Sequence, residues 1–185
     1  MLSFPDKKHL IFDLDLTLVE LLWPDDVHER TRAFLKTIDR SLAEKTEAWG
    51  YEGFNIMIKK YGSEVKKGLD AIYLDCESER LKEAMKINNQ VVDFIKLNKD
   101  NYNFYIWSNN QRQTIERILS QYNLEKYFET IAAGSDVQLF KPDIEGFYRI
   151  YEKGNNKKDY LMIGDSHNDK IAADNAGIDY FYLHI

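Results

Sequence analysis

The sequence of 185 residues has a single cysteine, Cys76, few prolines and no long hydrophobic run. A single cysteine excludes an internal disulfide framework and is typical of proteins from a reducing compartment. No stretch approaches the roughly 18 apolar residues of a membrane span. The apolar run near the N-terminus is too short for a secretory signal peptide. We therefore expect a cytoplasmic protein without a membrane partner.

An excess of positive charge is also absent, because 31 acidic residues outnumber 25 basic ones and the formal net charge is −6. Binding to nucleic acids usually requires a basic face, so we expect no nucleic-acid partner. A local cluster of Lys59, Lys60, Lys66 and Lys67 is interpreted as a solvated helix face rather than a docking site. The oligomeric state is not indicated by any feature of the sequence.

Short apolar segments alternate with segments of helical periodicity along much of the chain. Strands are predicted at positions 10–12, 104–107, 130–133, 160–163 and 180–183. Between the later strands, apolar residues recur at helical spacing, as in Ile115, Ile118 and Leu119. Strands that alternate with helices form parallel sheets with right-handed crossovers. We therefore predict an α/β fold, with a Rossmann-like parallel sheet flanked by helices.

The connection between the first two predicted strands is much longer than the others and is nearly all helical in pattern, although Gly68 interrupts one repeat. This length predicts a small α-helical domain inserted over residues 20–88, with the core domain formed by residues 1–19 and 89–185. The insertion contains several aromatic residues that could line a substrate pocket or form its own core, namely Trp23, Trp49, Tyr51 and Phe54.

Polar residues follow the ends of the predicted strands. These residues are Asp13 and Asp15 after the first strand, Ser108 after the second, Lys141 after the third, and Asp165 and Asp169 after the fourth. Parallel sheets bind their ligands just beyond the carboxyl ends of the strands. Since parallel strands share that edge, we expect these side chains to lie close together.

Several carboxylates at one edge require a counter-charge. Two carboxylates ~4 Å apart repel each other by about 4 kcal/mol at an effective dielectric constant of ~20. An all-oxygen pocket suits Mg²⁺, which keeps several waters and bridges to phosphate oxygens. Lys141 adds a positive charge and Ser108 a hydroxyl donor, which together suit a phosphoryl group. Acyl transfer is disfavoured, because no Ser/His pair occupies comparable strand ends.

Four motifs of the chain resemble, in order, those of the haloacid dehalogenase superfamily of phosphohydrolases. The motifs are Asp13-Leu14-Asp15-Leu16-Thr17, Ser108 after a strand, Lys141, and Gly164-Asp165-Ser166-His167-Asn168-Asp169. The helical insertion between the first and second motifs resembles the C1-type cap of that family. The resemblance implies a magnesium-dependent phosphatase that acts on a small phosphorylated metabolite.

The resemblance also implies a role for each matching residue. Asp13 would be the nucleophile that forms an aspartyl-phosphate, and Asp15 would be the general acid and base. The substrate-binding set would comprise Thr17, which steadies the loop around Asp15, together with Ser108, the backbone amide of Asn109, and Lys141. The Mg²⁺ ion would be held by the Asp13 carboxylate, the Asp15 carbonyl and Asp165, with Asp169 as support.

Two positions depart from the family pattern. Leu16 occupies a position that is usually glycine, and Asn88-Asn89 replaces the Pro-Gly often found where the cap rejoins the core. The Leu16 side chain could narrow the loop or change its backbone angles. This departure leaves open a non-catalytic phosphate-binding relative. A separate alternative is a phosphomutase or phosphotransferase on the same fold, which would pass the phosphoryl group from Asp13 to another acceptor. An aspartyl-phosphate receiver domain is disfavoured by the motif order and the inserted helices.

Overall fold

A computed structural model describes residues 2–45, 50–80 and 85–185. Its strands are β1 (His9–Phe12), β2 (Val19–Glu20), β3 (Lys86–Ile87), β4 (Asn103–Trp107), β5 (Phe128–Ala132), β6 (Tyr160–Gly164) and β7 (Asp179–Tyr182). Five of them form the main sheet in the order β5–β4–β1–β6–β7. All neighbouring pairs in this sheet are parallel. The predicted α/β fold with a parallel sheet is confirmed.

The helices follow the predicted alternation. They are α1 (Val27–Ile38), α2 (Arg40–Ala43), α3 (Tyr51–Tyr61), α4 (Ser63–Arg80), α5 (Asn89–Leu97), α6 (Arg112–Gln121), α7 (Glu145–Ile150) and α8 (His167–Ala176). Gly177, with φ +71°, ends α8 in the left-handed conformation that favours glycine. Among the helices described, none is long and apolar enough to cross a membrane.

The central strand β1 explains why the sheet is covered on both sides. Leu10 and Phe12 belong to one hydrophobic cluster, whereas Ile11 between them belongs to a second cluster. Alternate residues of a strand point to opposite faces of the sheet. The continuous apolar run is therefore required, because both faces of β1 are buried.

A short antiparallel ribbon joins the sheet to the inserted helices and was not predicted from the sequence. Val19 of β2 pairs with Ile87 of β3, and Asn88 N–H donates to the Leu18 carbonyl at 2.9 Å. The Asn88 side chain then caps α5 by accepting from Val91 N–H. The chain thus leaves and re-enters the sheet region at adjacent positions, close to the predicted boundary. The division into two domains itself stays a prediction.

Helices α1 to α4, which we call the helical unit, pack around their own apolar cluster. Gly68 on α4 lies against the Phe34 ring of α1, since a Cβ at Gly68 would come within 2.0 Å of that ring. The glycine that interrupts the helical pattern therefore permits close packing of two helices. The cluster also includes Phe140 from the loop before α7, so the helical unit packs on the sheet region.

The interpretation of the lysine cluster as solvated is wrong for Lys66. Its side chain is buried, donates to Asp70 and to the Gly134 carbonyl at 2.9 Å, and lies over the Phe140 ring. Helix α4 packs against the sheet region through this residue, and the sequence alone does not indicate that contact. The other three lysines of the cluster are exposed.

Candidate active site

A cavity of about 340 Å³ lies at the carboxyl end of the main sheet. The predicted site residues that line it are Asp13, Asp15, Ser108, Asn109, Lys141 and Asp165. They follow β1, β4 and β6 or belong to the loop between β5 and α7. The parallel topology therefore brings together residues that are far apart in the sequence.

The ammonium group of Lys141 lies between two carboxylates. Its Nζ donates to Asp13 Oδ1 at 2.8 Å, to Asp169 Oδ1 at 2.5 Å and to the Trp107 carbonyl at 2.8 Å. These acceptors occupy all the N–H groups of a lysine ammonium. Burial alone would lower the pKa of Lys141, but the carboxylates of Asp13 and Asp169 outweigh burial and raise it. The ammonium is therefore a fixed positive charge.

Asp13 is held at the end of β1, where its N–H donates to the Ile163 carbonyl at 2.9 Å and continues the pairing with β6. Burial and the carboxylate of Asp169 raise the pKa of Asp13 to about 7, although the Lys141 ammonium acts in the opposite direction. The carboxylate of Asp169 contributes to both shifts, since it adds to burial in raising the pKa of Asp13 and acts with Asp13 in raising the pKa of Lys141. Two carboxylates share a single ammonium, so the lysine retains its proton while one negative charge remains uncompensated.

Asp13, Asp165 and Asp169 form a cluster in which one carboxylate oxygen of each lies within 4.8 Å of the others. Asp169 is fully buried, and its oxygens accept from Lys141 and from Ser166 Oγ at 2.6 Å. Burial and the charge of Asp169 raise the pKa of Asp165. The oxygen donors and the excess negative charge fit a hard divalent cation such as Mg²⁺. Asp13 and Asp165 would be direct ligands, supported by Asp169.

The carboxylate of Asp15 is held by the segment that leads into the helical unit. Leu21 N–H donates to Asp15 Oδ1 at 2.9 Å, and Trp23 Nε1 donates to Oδ2 at 2.6 Å. Burial raises the pKa of Asp15 and outweighs these two donors, which favour the ionised form. A carboxyl group with a raised pKa is suited to give and take a proton near neutral pH.

Leu16 and Thr17 form the turn after Asp15. Leu16 has a φ of +57°, in the left-handed region that residues other than glycine rarely adopt, and it lines the cavity. The replacement of the usual glycine is therefore accommodated by a strained backbone. Thr17 does not line the cavity, since its side chain is fully buried and its hydroxyl donates to the Leu183 carbonyl at 3.3 Å. This hydrogen bond gives Thr17 a structural role, in which it stabilises the turn after Asp15.

The hydroxyl of Ser108 belongs to a polar network that reaches the helical unit. Ser108 Oγ donates to Asn110 Oδ1 at 2.7 Å, and Asn110 Nδ2 donates to Glu77 Oε1 at 3.1 Å. Glu77, on α4, is 3% exposed and also accepts from Gln111 N–H at 3.1 Å. Burial raises the pKa of Glu77 to about 7. No sequence motif pointed to Glu77, because its contacts depend on how α4 docks.

Asn109 connects the loop after β4 to the loop that carries Lys141. Its Oδ1 accepts from Lys141 N–H at 2.7 Å, and its Nδ2 donates to the Lys141 carbonyl at 3.2 Å. The Asn109 side chain therefore holds the main chain of Lys141 in position. The predicted contact with a ligand involves a different group, the backbone amide of Asn109.

The helical unit and the segment that leads into it contribute a group of cavity-lining residues that we call the roof: Trp23, Val27, His28, Tyr51 and Tyr73. Of the aromatic residues singled out from the sequence, Trp23 and Tyr51 line the cavity. Phe54 is buried in the cluster of the helical unit, and Trp49 lies outside the described residues. Tyr73, Val27 and His28 were missed, because helical spacing does not distinguish a cavity wall from a packed core.

A family model described as "Haloacid dehalogenase-like hydrolase" matches residues 10–183. The chain belongs to this family. The superfamily and the hydrolase class predicted from the four motifs are thereby confirmed.

Relatives of this haloacid dehalogenase-like hydrolase include phosphoglycolate phosphatase 1 of Pseudomonas aeruginosa, which is 26% identical over 185 residues. The alignment covers 91% of this chain and 66% of that protein, so the chain spans just under two thirds of its relative's length.

Two solved structures share the fold. A "predicted phosphoglycolate phosphatase" from Haemophilus somnus 129pt has a TM-score of 0.64 and 22% identity, over 98% of this chain and 88% of the other. The HAD-hydrolase YfnB from Bacillus subtilis, bound to magnesium, has a TM-score of 0.57 and 17% identity, over 95% of this chain and 86% of the other.

The remaining residues singled out from the hydrolase sequence lie outside the cavity wall. His167 is exposed, whereas its neighbours Ser166 and Asn168 line the cavity. Glu20, which follows the first motif closely in the sequence, lies on β2 with its carboxylate 3.8 Å from Lys86 Nζ. Each of the four motifs contributes residues to one cavity, while Thr17 and Asp169 are buried beside it.

Proposed function

We propose that the protein hydrolyses a small phosphomonoester, with Asp13 as the nucleophile and Asp15 as the general acid and base. The observation that carries this proposal is the position of Lys141, which binds Asp13 and Asp169 beside Asp165. Asp15 lines the same cavity. Phosphoryl transfer depends mainly on positioning and neutralisation of charge, and these residues supply both.

The reaction would proceed in two steps. In the first, a carboxylate oxygen of Asp13 bonds to phosphorus, the bond from phosphorus to the ester oxygen breaks, and that oxygen takes the proton of Asp15. In the second, water attacks phosphorus and gives its proton to Asp15, while the bond between phosphorus and Asp13 breaks. Inorganic phosphate is released and Asp13 returns to its ionised form.

The phosphoryl oxygens would be bound by Ser108, the Asn109 backbone amide and Lys141. Ser108 must release Asn110 Oδ1, to which it donates at 2.7 Å, before its hydroxyl can donate to a ligand. A bound Mg²⁺ would neutralise charge on the phosphoryl oxygens. It would be held by the carboxylates of Asp13 and Asp165 and the Asp15 carbonyl. The magnesium-bound structure of YfnB, a protein of the same fold, supports this choice of ion.

The substrate class is proposed from two observations. The cavity of about 340 Å³ is at the lower end of the usual range for ligand pockets, about 300–1,000 Å³, which suits a small metabolite rather than a macromolecule. The name of the Pseudomonas relative, a phosphoglycolate phosphatase, supports a phosphomonoester. Function of the helical unit as a closing cap, and a location in the cytoplasm, stay predictions.

The test is an assay of phosphate release from phosphorylated sugars, nucleotides and acids, with and without Mg²⁺, by the wild type and Asp13→Asn. Asp100→Asn is the matched control, because Asp100 is exposed and its carboxylate pairs with the neighbouring Lys99 at the surface. We expect Mg²⁺-dependent release that is lost in Asp13→Asn and retained in Asp100→Asn. Activity that survives in Asp13→Asn would refute the mechanism. Phosphate release without an added acceptor would distinguish hydrolysis from a phosphomutase or phosphotransferase.

A further inference from the structure

Among the residues that the structure describes, the cavity wall offers no unoccupied lysine or arginine that could pair with a second negative charge on a substrate. Lys141 is the one residue of either type that lines it within residues 2–45, 50–80 and 85–185. The Lys141 ammonium is already bound by Asp13, Asp169 and the Trp107 carbonyl. In the roof, His28 is the one residue among those described that can become cationic.

Three of the five roof residues, Trp23, Tyr51 and Tyr73, are uncharged aromatic residues. The rings of Trp23 and Tyr73 meet edge to face, with centroids 5.6 Å apart, and the Tyr51 and Tyr73 centroids are 5.9 Å apart. Burial raises the pKa of Tyr73 to about 12 and also raises that of Tyr51, so both hydroxyls remain uncharged. The Trp23 indole N–H is occupied by Asp15.

The roof is also fixed in place. The Tyr51 ring packs on Phe140, with centroids 5.3 Å apart. The main chain of Phe140 is bound by the Asn55 side chain, which accepts from its N–H at 2.9 Å and donates to its carbonyl at 2.8 Å. A rearrangement that brought a cation into the roof would have to break these contacts.

The acidic residues of the site would also repel a second negative charge on the substrate. Asp13, Asp15 and Asp165 line the cavity, and one bound divalent cation would be shared between them and the phosphoryl group. An additional carboxylate on the leaving group would lie near Asp15 in a partly desolvated space without a positive partner. Burial of an unpaired charge is strongly unfavourable.

We propose that the leaving group of the substrate is a small uncharged alcohol with an apolar or aromatic face, and that the site rejects leaving groups that carry a carboxylate or a second phosphate. This inference rests on the phosphomonoesterase function proposed above. It separates this protein from its Pseudomonas relative, whose name specifies a substrate with a carboxylate.

Matched pairs of substrates test the inference with the whole protein and Mg²⁺. 2-Hydroxyethyl phosphate and 2-phosphoglycolate differ only in the replacement of a carboxylate by a hydroxymethyl group, and benzyl phosphate and 4-carboxybenzyl phosphate form an aromatic pair. We expect kcat/KM to be at least tenfold higher for the uncharged member of each pair. Because Val27 lines the cavity on the first turn of α1, Val27→Lys should reduce this ratio at least fivefold, whereas Val27→Met should not.

The outcomes separate the two proposals. An equal or higher kcat/KM for the carboxylate substrates, in turnover that Asp13→Asn abolishes, would overturn this inference and leave the phosphatase function intact. Loss in His28→Ala of the higher kcat/KM for uncharged substrates would also overturn this inference, since the His28 imidazole would then be the cause of the substrate preference. Absence of turnover of every substrate tested would overturn the phosphatase function and this inference together. The wild-type comparison decides the question even if Val27→Lys fails to fold.

Discussion

The buried carboxyl group of Glu77 should make the stability of the protein depend on pH. Its pKa is raised from 4.5 to about 7, mainly by burial on α4. The folded protein therefore holds this proton more tightly than the unfolded chain does. The stabilisation from Glu77 is fully present below pH 4.5 and is lost as the pH rises towards 7.

The magnitude follows from the size of the shift. At 1.36 kcal/mol per pKa unit, ionisation of Glu77 destabilises the fold by about 3 kcal/mol in total, of which roughly 2–3 kcal/mol falls between pH 5 and pH 8. Glu77→Gln removes the ionisation and keeps an oxygen that can accept from Asn110 or Gln111. We expect the free energy of unfolding to fall by about 2 kcal/mol more in the wild type than in Glu77→Gln over this range.

The assay is equilibrium unfolding in urea at pH 5 and pH 8, in the presence of a chelator. Asp13, Asp15 and Asp165 also have raised pKa values, but they titrate in both proteins. The difference between the two proteins therefore reports Glu77 together with its repulsion by the Asp15 carboxylate. Glu64→Gln is the matched control, because Glu64 lies in the first turn of the same helix and its side chain is 79% exposed. If the wild type and Glu77→Gln lose stability equally between the two pH values, Glu77 is not a buried titrating acid.

Three further predictions concern substitutions that introduce or remove a glycine. Leu16→Gly should be more stable to urea than Leu16→Ala by about 1 kcal/mol, because both lose the side chain and only glycine relieves the left-handed φ of +57°. Gly68→Ala should be destabilised by about 1–3 kcal/mol in the same assay, since the new Cβ would lie 2.0 Å from the Phe34 ring. Gly164→Ala should reduce phosphate release more than stability, because its Cβ would lie 2.5 Å from Asp169 Oδ2 and displace the carboxylate that binds Lys141.

Glycines in open surroundings provide the controls for these changes. A Cβ at Gly50 would have no atom within 4 Å, so Gly50→Ala should change neither stability nor activity appreciably. Equal stability of Leu16→Gly and Leu16→Ala would show that the turn is not strained. Retention of full stability by Gly68→Ala would show that α1 and α4 can separate without cost. Full activity of Gly164→Ala would contradict the role assigned to Asp169.

The strands of the main sheet could be predicted because each one is long enough and apolar enough to produce a local signal. The position of the site followed from topology, since all parallel strands end at the same edge. The ribbon of β2 and β3 could not be predicted, because two paired residues such as Val19 and Ile87 leave no periodicity. Lys66 was misinterpreted for a related reason, as its burial depends on the docking of α4 against Gly134.

The residues of the roof could not be identified from the sequence alone. Tyr51 and Phe54 are both aromatic residues of the same helix, yet one lines the cavity and the other packs in the core. Only the relative placement of the helices separates them. Glu77 carries no motif at all and is recognised as important only through its contacts with Asn110 and Gln111.

The paired strands β2 and β3 bring the two ends of the helical unit side by side, so the whole unit can be exchanged for another without cutting the sheet. Such an exchange would alter substrate choice and leave the phosphoryl chemistry in place only under two conditions. The incoming unit would have to supply a donor to replace Trp23 on Asp15, and an acceptor to replace Glu77 on Asn110. Grafting experiments that ignore these two bonds should yield folded but poorly active chimaeras.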